Sequence, residues 1–86
     1  MLLRRDRTSI MLQLAANLSE ARERAGLTQK QLAERTGIYQ ADISKIERGP
    51  GNPSVATLRR LAEGLGMELE IEFRGTLFDE KPARDF

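Results

Sequence analysis

"GLTQKQLAERTGIYQADISKIERG", residues 26–49, is the stretch on which the reading of the whole chain turns. Thr28 is followed three residues later by Gln31, the spacing of a capping box, in which each side chain satisfies the other residue's backbone N–H at a helix start. Leu32 and Ala33 then face inward. Gly37 ends this helix after about two turns, because glycine takes the left-handed conformation just past a helix end without steric cost. A further helix begins almost at once, with Ile43 and Ile46 as its core residues, and Gly49 ends it.

Upstream, a longer helix is expected to begin near Thr8 or Ser9, either of which can cap it. Ile10, Leu14, Leu18, Ala21 and Ala25 recur at spacings of three and four and form its inner face. Gln13, Asn17, Glu20 and Arg24 fall outside that face, and Gly26 stops the helix. Residues 1–8 read as a flexible arm whose arginines could touch phosphate. Downstream, "GPGNPS" (49–54) is a turn-rich loop. Ser54 can cap a fourth helix with Val55, Leu58, Leu61, Ala62 and Leu65 on its inner face, and Gly66 ends it. "MELEIEF" (67–73) then alternates strictly: Met67, Leu69, Ile71 and Phe73 are apolar, with a glutamate between each pair. That period of two is the mark of a half-buried strand, expected over 67–74. Residues 75–86 read as a mobile tail with Leu77 and Phe78 as anchors. The organisation is one helical domain over 9–66 between an arm, a strand and a tail.

A chain of 86 residues makes one small domain. A domain this size buries only about 60% of the surface its unfolded chain exposes, so self-association would add to a thin margin of stability. There is no cysteine and no histidine. Disulfides, thiolate metal sites, the commonest general base and the commonest metal ligand are therefore all missing, and neither a metal nor a cofactor is expected. Residues 1–67 carry eleven Lys/Arg against seven Asp/Glu, a charge of +4, while residues 68–86 carry three against six, or −3. A basic body with an acidic end suggests an anionic partner for the body. No apolar run approaches the length of a membrane span, so no membrane partner is expected. Gln13 and Asn17 interrupt the apolar start and no small-residue cleavage site follows, which argues against a secretory signal. The expected location is the cytoplasm, on the nucleoid.

Two short helices joined by a tight glycine turn form either an ordinary helical hairpin or a helix-turn-helix. The residue detail favours the second. Gly26-Leu27-Thr28-Gln29, Leu32-Ala33, Gly37-Ile38, Ile43-Ser44 and Ile46-Glu47-Arg48-Gly49 resemble the signature of the Cro/phage-repressor, or xenobiotic-response-element, type of helix-turn-helix. "NPSVATLRRLAEGLG" (52–66) resembles the same family's fourth helix. The resemblance implies a mainly α, lambda-repressor-like bundle of four to five helices, with one C-terminal β-strand pairing across a dimer. It covers roughly residues 12–66.

The resemblance also implies roles. Gln29 opens the second helix beside Thr28, where free backbone N–H groups and the positive dipole end favour a phosphate. Its side chain is expected to grip phosphate and brace Gln40. The third helix should lie in the major groove with its N-terminal residues toward the bases. Gln40 suits a bidentate bond to adenine, and Ala41 a thymine methyl. Ser44 lies one turn later, Lys45 can reach a guanine or a phosphate, and Arg48 and Asn52 are backbone contacts that position without specifying. Arg22 and Glu47 match positions that form a partly buried ion pair. Two residues depart from the pattern. Tyr39 stands where a small capping Ser or Thr is usual, and offers its ring and hydroxyl to the sugar-phosphate wall. Asp42 puts a negative charge near the DNA side, where it suits the helix dipole and could accept a bond from cytosine.

A strand cannot stand alone, and this chain holds no second one. The segment could fold back on its own helices, but the simplest partner for residues 67–73 is the same segment of a second copy, antiparallel across a two-fold axis. That homodimer would set two recognition helices about 34 Å apart on a palindromic double-stranded operator. Eight apolar side chains at about 1.5 kcal/mol each only just meet an association cost of about 4–15 kcal/mol, so helix contacts should contribute, from Leu65 or the first helix. A helix-turn-helix running into such a strand, with "YQADIS" (39–44) opening its recognition helix, resembles the HipB-like antitoxins, and the HigA-like ones closely. The resemblance implies a repressor of its own operon that holds a toxin, a HipA-like kinase or a ribonuclease. The competing readings are a stand-alone phage-type or restriction-controller regulator and an interaction adaptor without DNA binding. No catalytic constellation supports an enzyme.

Overall fold

The computed structural model describes residues 7–73. Four helices lie within them: α1 Arg7–Arg24, α2 Gln29–Thr36, α3 Gln40–Arg48 and α4 Val55–Leu65. Most of the expected arm, residue 74 of the expected strand, and the tail with Leu77 and Phe78 lie outside the described residues.

The capping signals of α2 and α4 act as their chemistry dictates. The Thr28 hydroxyl accepts from the Gln31 N–H at 3.0 Å, and the Gln31 side chain accepts from the Thr28 N–H at 2.9 Å. Ser54 accepts from the Thr57 N–H at 3.1 Å. The start of α1 differs from expectation: it begins at Arg7, so Thr8 and Ser9 lie inside the helix and two residues of the arm belong to it.

Leu18, Leu32, Ile38, Ile43, Ile46 and Leu61 form the core, with Leu14, Leu27, Ala33, Leu58 and Leu65 packed at its margin. The inner face of α1 is shorter than its periodicity predicts. Leu14, Ala15, Leu18 and Ala21 are covered, whereas Ile10 is 62% exposed and Ala25 is exposed beyond the last turn. On α4, Val55 is likewise 57% exposed. Periodicity gives the direction of a face, not how far along the axis the neighbouring elements reach.

The turn between α2 and α3 is fixed by Thr36. Its hydroxyl donates to the Leu32 carbonyl at 2.8 Å and accepts from the Ile38 N–H at 3.1 Å. Gly37, at φ +75°, makes the reversal between them. Helices α2 and α4 then cap one another. Arg60 of α4 donates to the Thr36 carbonyl at 2.7 Å, and Arg35 of α2 donates to the Gly64 carbonyl at 3.1 Å. A cation on the last carbonyls of a helix satisfies orphan acceptors and complements the negative dipole end.

Among the described residues there is no β-strand. The strand expected over residues 67–73 is not formed in the single copy. The segment follows Gly66 as irregular backbone, and the Met67 N–H donates to the Ala62 carbonyl at 2.9 Å. A ladder needs a second extended run, and the described residues of one copy hold none. Leu69 is half-buried, while Met67, Ile71 and Phe73 are exposed. No helix of the described residues is long and apolar enough to cross a membrane.

Gly64, inside α4, is where that helix comes closest to α2. A Cβ there would stand 2.5 Å from the Thr36 Cγ2 methyl, on a side chain already held by two hydrogen bonds. Gly64→Ala is therefore expected to lower the unfolding free energy by about 1 kcal/mol or more, although alanine is the better helix former. Urea denaturation measures this, and adding Thr36→Ser, which removes the methyl and keeps the hydroxyl, should restore the loss. A stabilising Gly64→Ala would show that the approach is loose.

Candidate nucleic-acid interface

The site is built from the inside. Arg22, near the end of α1, forms a bidentate pair with Glu47 near the end of α3: Nε to Oε2 at 2.7 Å and Nη2 to Oε1 at 3.0 Å. The third guanidinium nitrogen, Nη1, donates to the Leu27 carbonyl at 2.8 Å. Gln29, the first residue of α2, donates its side-chain amide to Glu47 Oε1 at 3.0 Å. Both charged side chains are largely covered, with 14% of Arg22 and 6% of Glu47 exposed.

Burial is the largest single influence on Glu47 and pushes its pKa up. The hydrogen bonds from Arg22 and Gln29, the Arg22 charge and the Ser19 hydroxyl outweigh it, so the carboxyl sits below its ordinary value. The bond to Glu47 raises the Arg22 pKa against the opposing effect of burial. The pair is charged wherever the protein is folded near neutral pH.

Away from its buried residues Ile43 and Ile46, α3 presents a polar face. Gln40, Ala41, Lys45 and Arg48 are exposed and Ser44 is half-buried. Gln40, Ser44 and Arg48 follow at intervals of four and form one row, with Ala41 and Lys45 beside it. Arg48 Nη1 donates to the Ser44 hydroxyl at 2.7 Å, so two residues assigned separate contacts form one unit. Tyr39 is the N-cap of α3, makes no side-chain cap bond and is 80% exposed. Asp42 lies in the first turn of α3. It lines a cleft of about 430 Å³ that also takes in Tyr39, Asn52, Thr57 and Arg60. Asn52 and Asp42 thus share the flank of α3 that faces the start of α4, apart from the Gln40–Ser44–Arg48 row. Thr28 is exposed and its hydroxyl is engaged in the capping box.

One expected contact is different. Gln29 turns its amide to Glu47 rather than bracing Gln40. An acceptor carrying a full negative charge is the stronger partner. Sequence reasoning missed Ser19, the Leu27 carbonyl and the Ser44–Arg48 bond. Only the last had a signal, the spacing of four on a helix.

An exposed polar helix, set at a glycine turn against a shorter helix and tied to its neighbours by an ion pair, is the arrangement of a helix-turn-helix domain. The chain belongs to the helix-turn-helix family HTH_3, whose profile matches residues 18–71. It is 41% identical over 54 residues to the regulator y4dJ of Sinorhizobium fredii, covering 63% of this chain and 70% of that one. It is 37% identical over 71 residues to the antitoxin HipB of Escherichia coli O6:H1, covering 83% of this chain and 69% of HipB. It spans 65% of a Haemophilus influenzae regulator and 30% of the Escherichia coli regulator SutR. Among solved structures it resembles the restriction-modification controller C.Esp1396I, described as a tetramer on its natural 35 base-pair operator. That match has a TM-score of 0.66 at 25% identity and covers 69% of this chain and 78% of the controller. The y4dJ, Haemophilus influenzae and SutR relatives are named as HTH-type transcriptional regulators, and HipB as an antitoxin; none is named as an enzyme.

The pair carries a stability signature. Because Glu47 has a lowered pKa in the folded chain, its contribution is complete above the pKa of an unfolded carboxyl, about 4.3, and is lost as pH falls through the lower folded value. Glu47→Ala should cost about 3 kcal/mol at neutral pH, because Arg22 is left without its counter-charge. Glu47→Gln should flatten the decline in stability as pH falls below the unfolded carboxyl value of about 4.3. Denaturant titrations across pH measure both.

Proposed function

We propose that this protein is a sequence-specific DNA-binding transcriptional repressor that acts as a homodimer on a palindromic operator. We further propose that it is the antitoxin of a toxin–antitoxin operon, binding its own operator and holding a toxin protein. The observation that carries the first part is the α3 face: Gln40, Ala41, Ser44, Lys45 and Arg48 project from a helix that Glu47 ties to α1 and α2. A rigid helix with exposed amide, hydroxyl and basic groups suits the major groove.

In this reading Gln40 bonds adenine, Ala41 meets a thymine methyl, and Lys45 and the Ser44–Arg48 unit take a guanine or phosphates. Thr28 and the start of α2 take a phosphate, with Gln29 acting chiefly through Glu47. Tyr39 and Asn52 border the sugar-phosphate wall. Met67, Leu69, Ile71 and Phe73 pair with their copies to set the two α3 helices at operator spacing.

What favours the antitoxin role is the reach of the likeness to HipB: 71 residues, against 54 for y4dJ and 54 positions for the family profile. The toxin would be a HipA-like kinase or a ribonuclease. A second reading, a stand-alone controller without a toxin, is favoured by the likeness to C.Esp1396I.

Operator affinity should fall steeply as salt rises, because phosphate contacts release counterions, and a flat response would remove DNA binding. Gln40→Ala should cost about 1–3 kcal/mol per half-site and relax one base preference, read in a binding assay against every single-base operator variant. If all preferences survive, α3 is docked in another register. Co-purification decides between the two regulatory readings. A kinase or ribonuclease encoded beside this gene and travelling with the protein supports the antitoxin, and its absence supports the stand-alone controller.

A further inference from the structure

Phe73 is 99% exposed. It stands at the end of a segment whose other apolar residues are only partly covered, Met67 at 39% and Ile71 at 58%. A groove of about 390 Å³ runs between that segment and the outer edge of α4, walled by Val55, Ala62, Met67 and Ile71. Arg59, Glu63 and Glu68 border it. Val55, at the first turn of α4, turns its side chain to this groove rather than to the core. The ring of Phe73 does not line the groove of its own chain. A large apolar ring left in water and an open apolar groove are two halves of one unmet burial.

We infer that the groove of each copy receives Phe73 of the other. This rests on the homodimer proposed above and names the contact that closes it. Antiparallel pairing of residues 67–73 across a two-fold axis has one register in which all seven residues find partners. Glu70 then faces its own copy, Leu69 faces Ile71, and Phe73 faces Met67. Odd-numbered residues share one side of an extended segment, and opposed side chains start about 5 Å apart. Phe73 of the second copy therefore lies beside Met67, at the mouth of the groove, with Val55 and Ala62 behind it. The two-fold axis repeats the contact, so both rings are buried and both grooves filled.

The charges agree with this seating. The same register sets Glu72 of the second copy opposite Glu68, a like-charge pair that costs stability in a ladder. Arg59 borders the groove together with Glu63 and Glu68 and brings positive charge that offsets part of this repulsion. The helix contribution that strand pairing alone requires then comes from the edge of α4, through Val55 and Ala62.

The test uses the full chain and two substitutions at exposed positions. Val55→Glu places a carboxylate at a helix N-terminus, where it is tolerated, and Phe73→Lys changes a side chain that is almost wholly in water in the single copy. Circular dichroism should show both variants folded. Dilution monitored by light scattering gives the dimer constant. Each variant should weaken dimerisation by about 30-fold or more, the loss expected for a buried aromatic anchor. An equimolar mixture of the two variants should recover much of that loss as a heterodimer. One of its grooves keeps the native contact, and in the other the introduced ammonium meets the introduced carboxylate. Truncation after Gly66 is the control for the strand. If truncation yields a monomer while Val55→Glu leaves the dimer constant unchanged, the groove assignment is overturned and the strand dimer stands. If the unaltered chain is itself monomeric, both are overturned.

Discussion

Glu47 is the constraint on which the rest of the domain depends. One carboxylate, almost wholly covered, takes two bonds from Arg22 of α1 and one from Gln29 of α2 while belonging to α3. Three helices therefore meet at one charge. A covered carboxylate without partners would be strongly destabilising, so the positions of α1 and α2 relative to α3 are set together. Arg22 extends the arrangement by holding the Leu27 carbonyl, which fixes the chain between α1 and α2. Hydrophobic contact supplies most of the stabilisation, but it tolerates sliding. A bidentate pair has a narrow geometry, and it is this that gives the outer face of α3 a fixed direction.

The second half of the domain is held by different means. Helices α2 and α4 meet where Gly64 lets the backbones close, and each lends an arginine to the carbonyl end of the other. Gly51, in the loop before α4, is similarly tight: a Cβ would stand 2.8 Å from the Ile46 backbone. Side chains at the edge of a clash can move aside, but backbone cannot, so this loop is seated on α3 without slack. The core is small, and these close approaches let four short helices cover it.

Much of this is legible in the sequence, in proportion to how local the cause is. Thr28 with Gln31, Ser54, and the glycines at 37, 49 and 66 act within a few residues of their helix ends, and each helix end they mark is where the sequence puts it. Arg22 and Glu47 lie 25 residues apart; no spacing rule joins them, and only the resemblance to a known helix-turn-helix does. A linear reading gives Gln29 to Gln40 because nothing in it reveals that a covered carboxylate competes for the amide. It places Ile10 and Val55 inside by a period that is correct for direction and silent about distance. The strand follows from a faultless alternation, which reports what residues 67–73 are suited to and not whether a partner is present in one copy.

The bond from Arg48 to Ser44 has a consequence beyond geometry. A free arginine side chain samples many rotamers, with an entropy of roughly 2 kcal/mol, and a surface contact must usually restrict them at the moment of binding. Here part of that restriction is met during folding. In the docking proposed above, the guanidinium is already aimed before contact, so less of the interaction is offset by ordering. A side chain with fewer postures also adapts less readily to a wrong surface. A short polar residue one turn back thus limits the repertoire of its neighbour before any partner arrives.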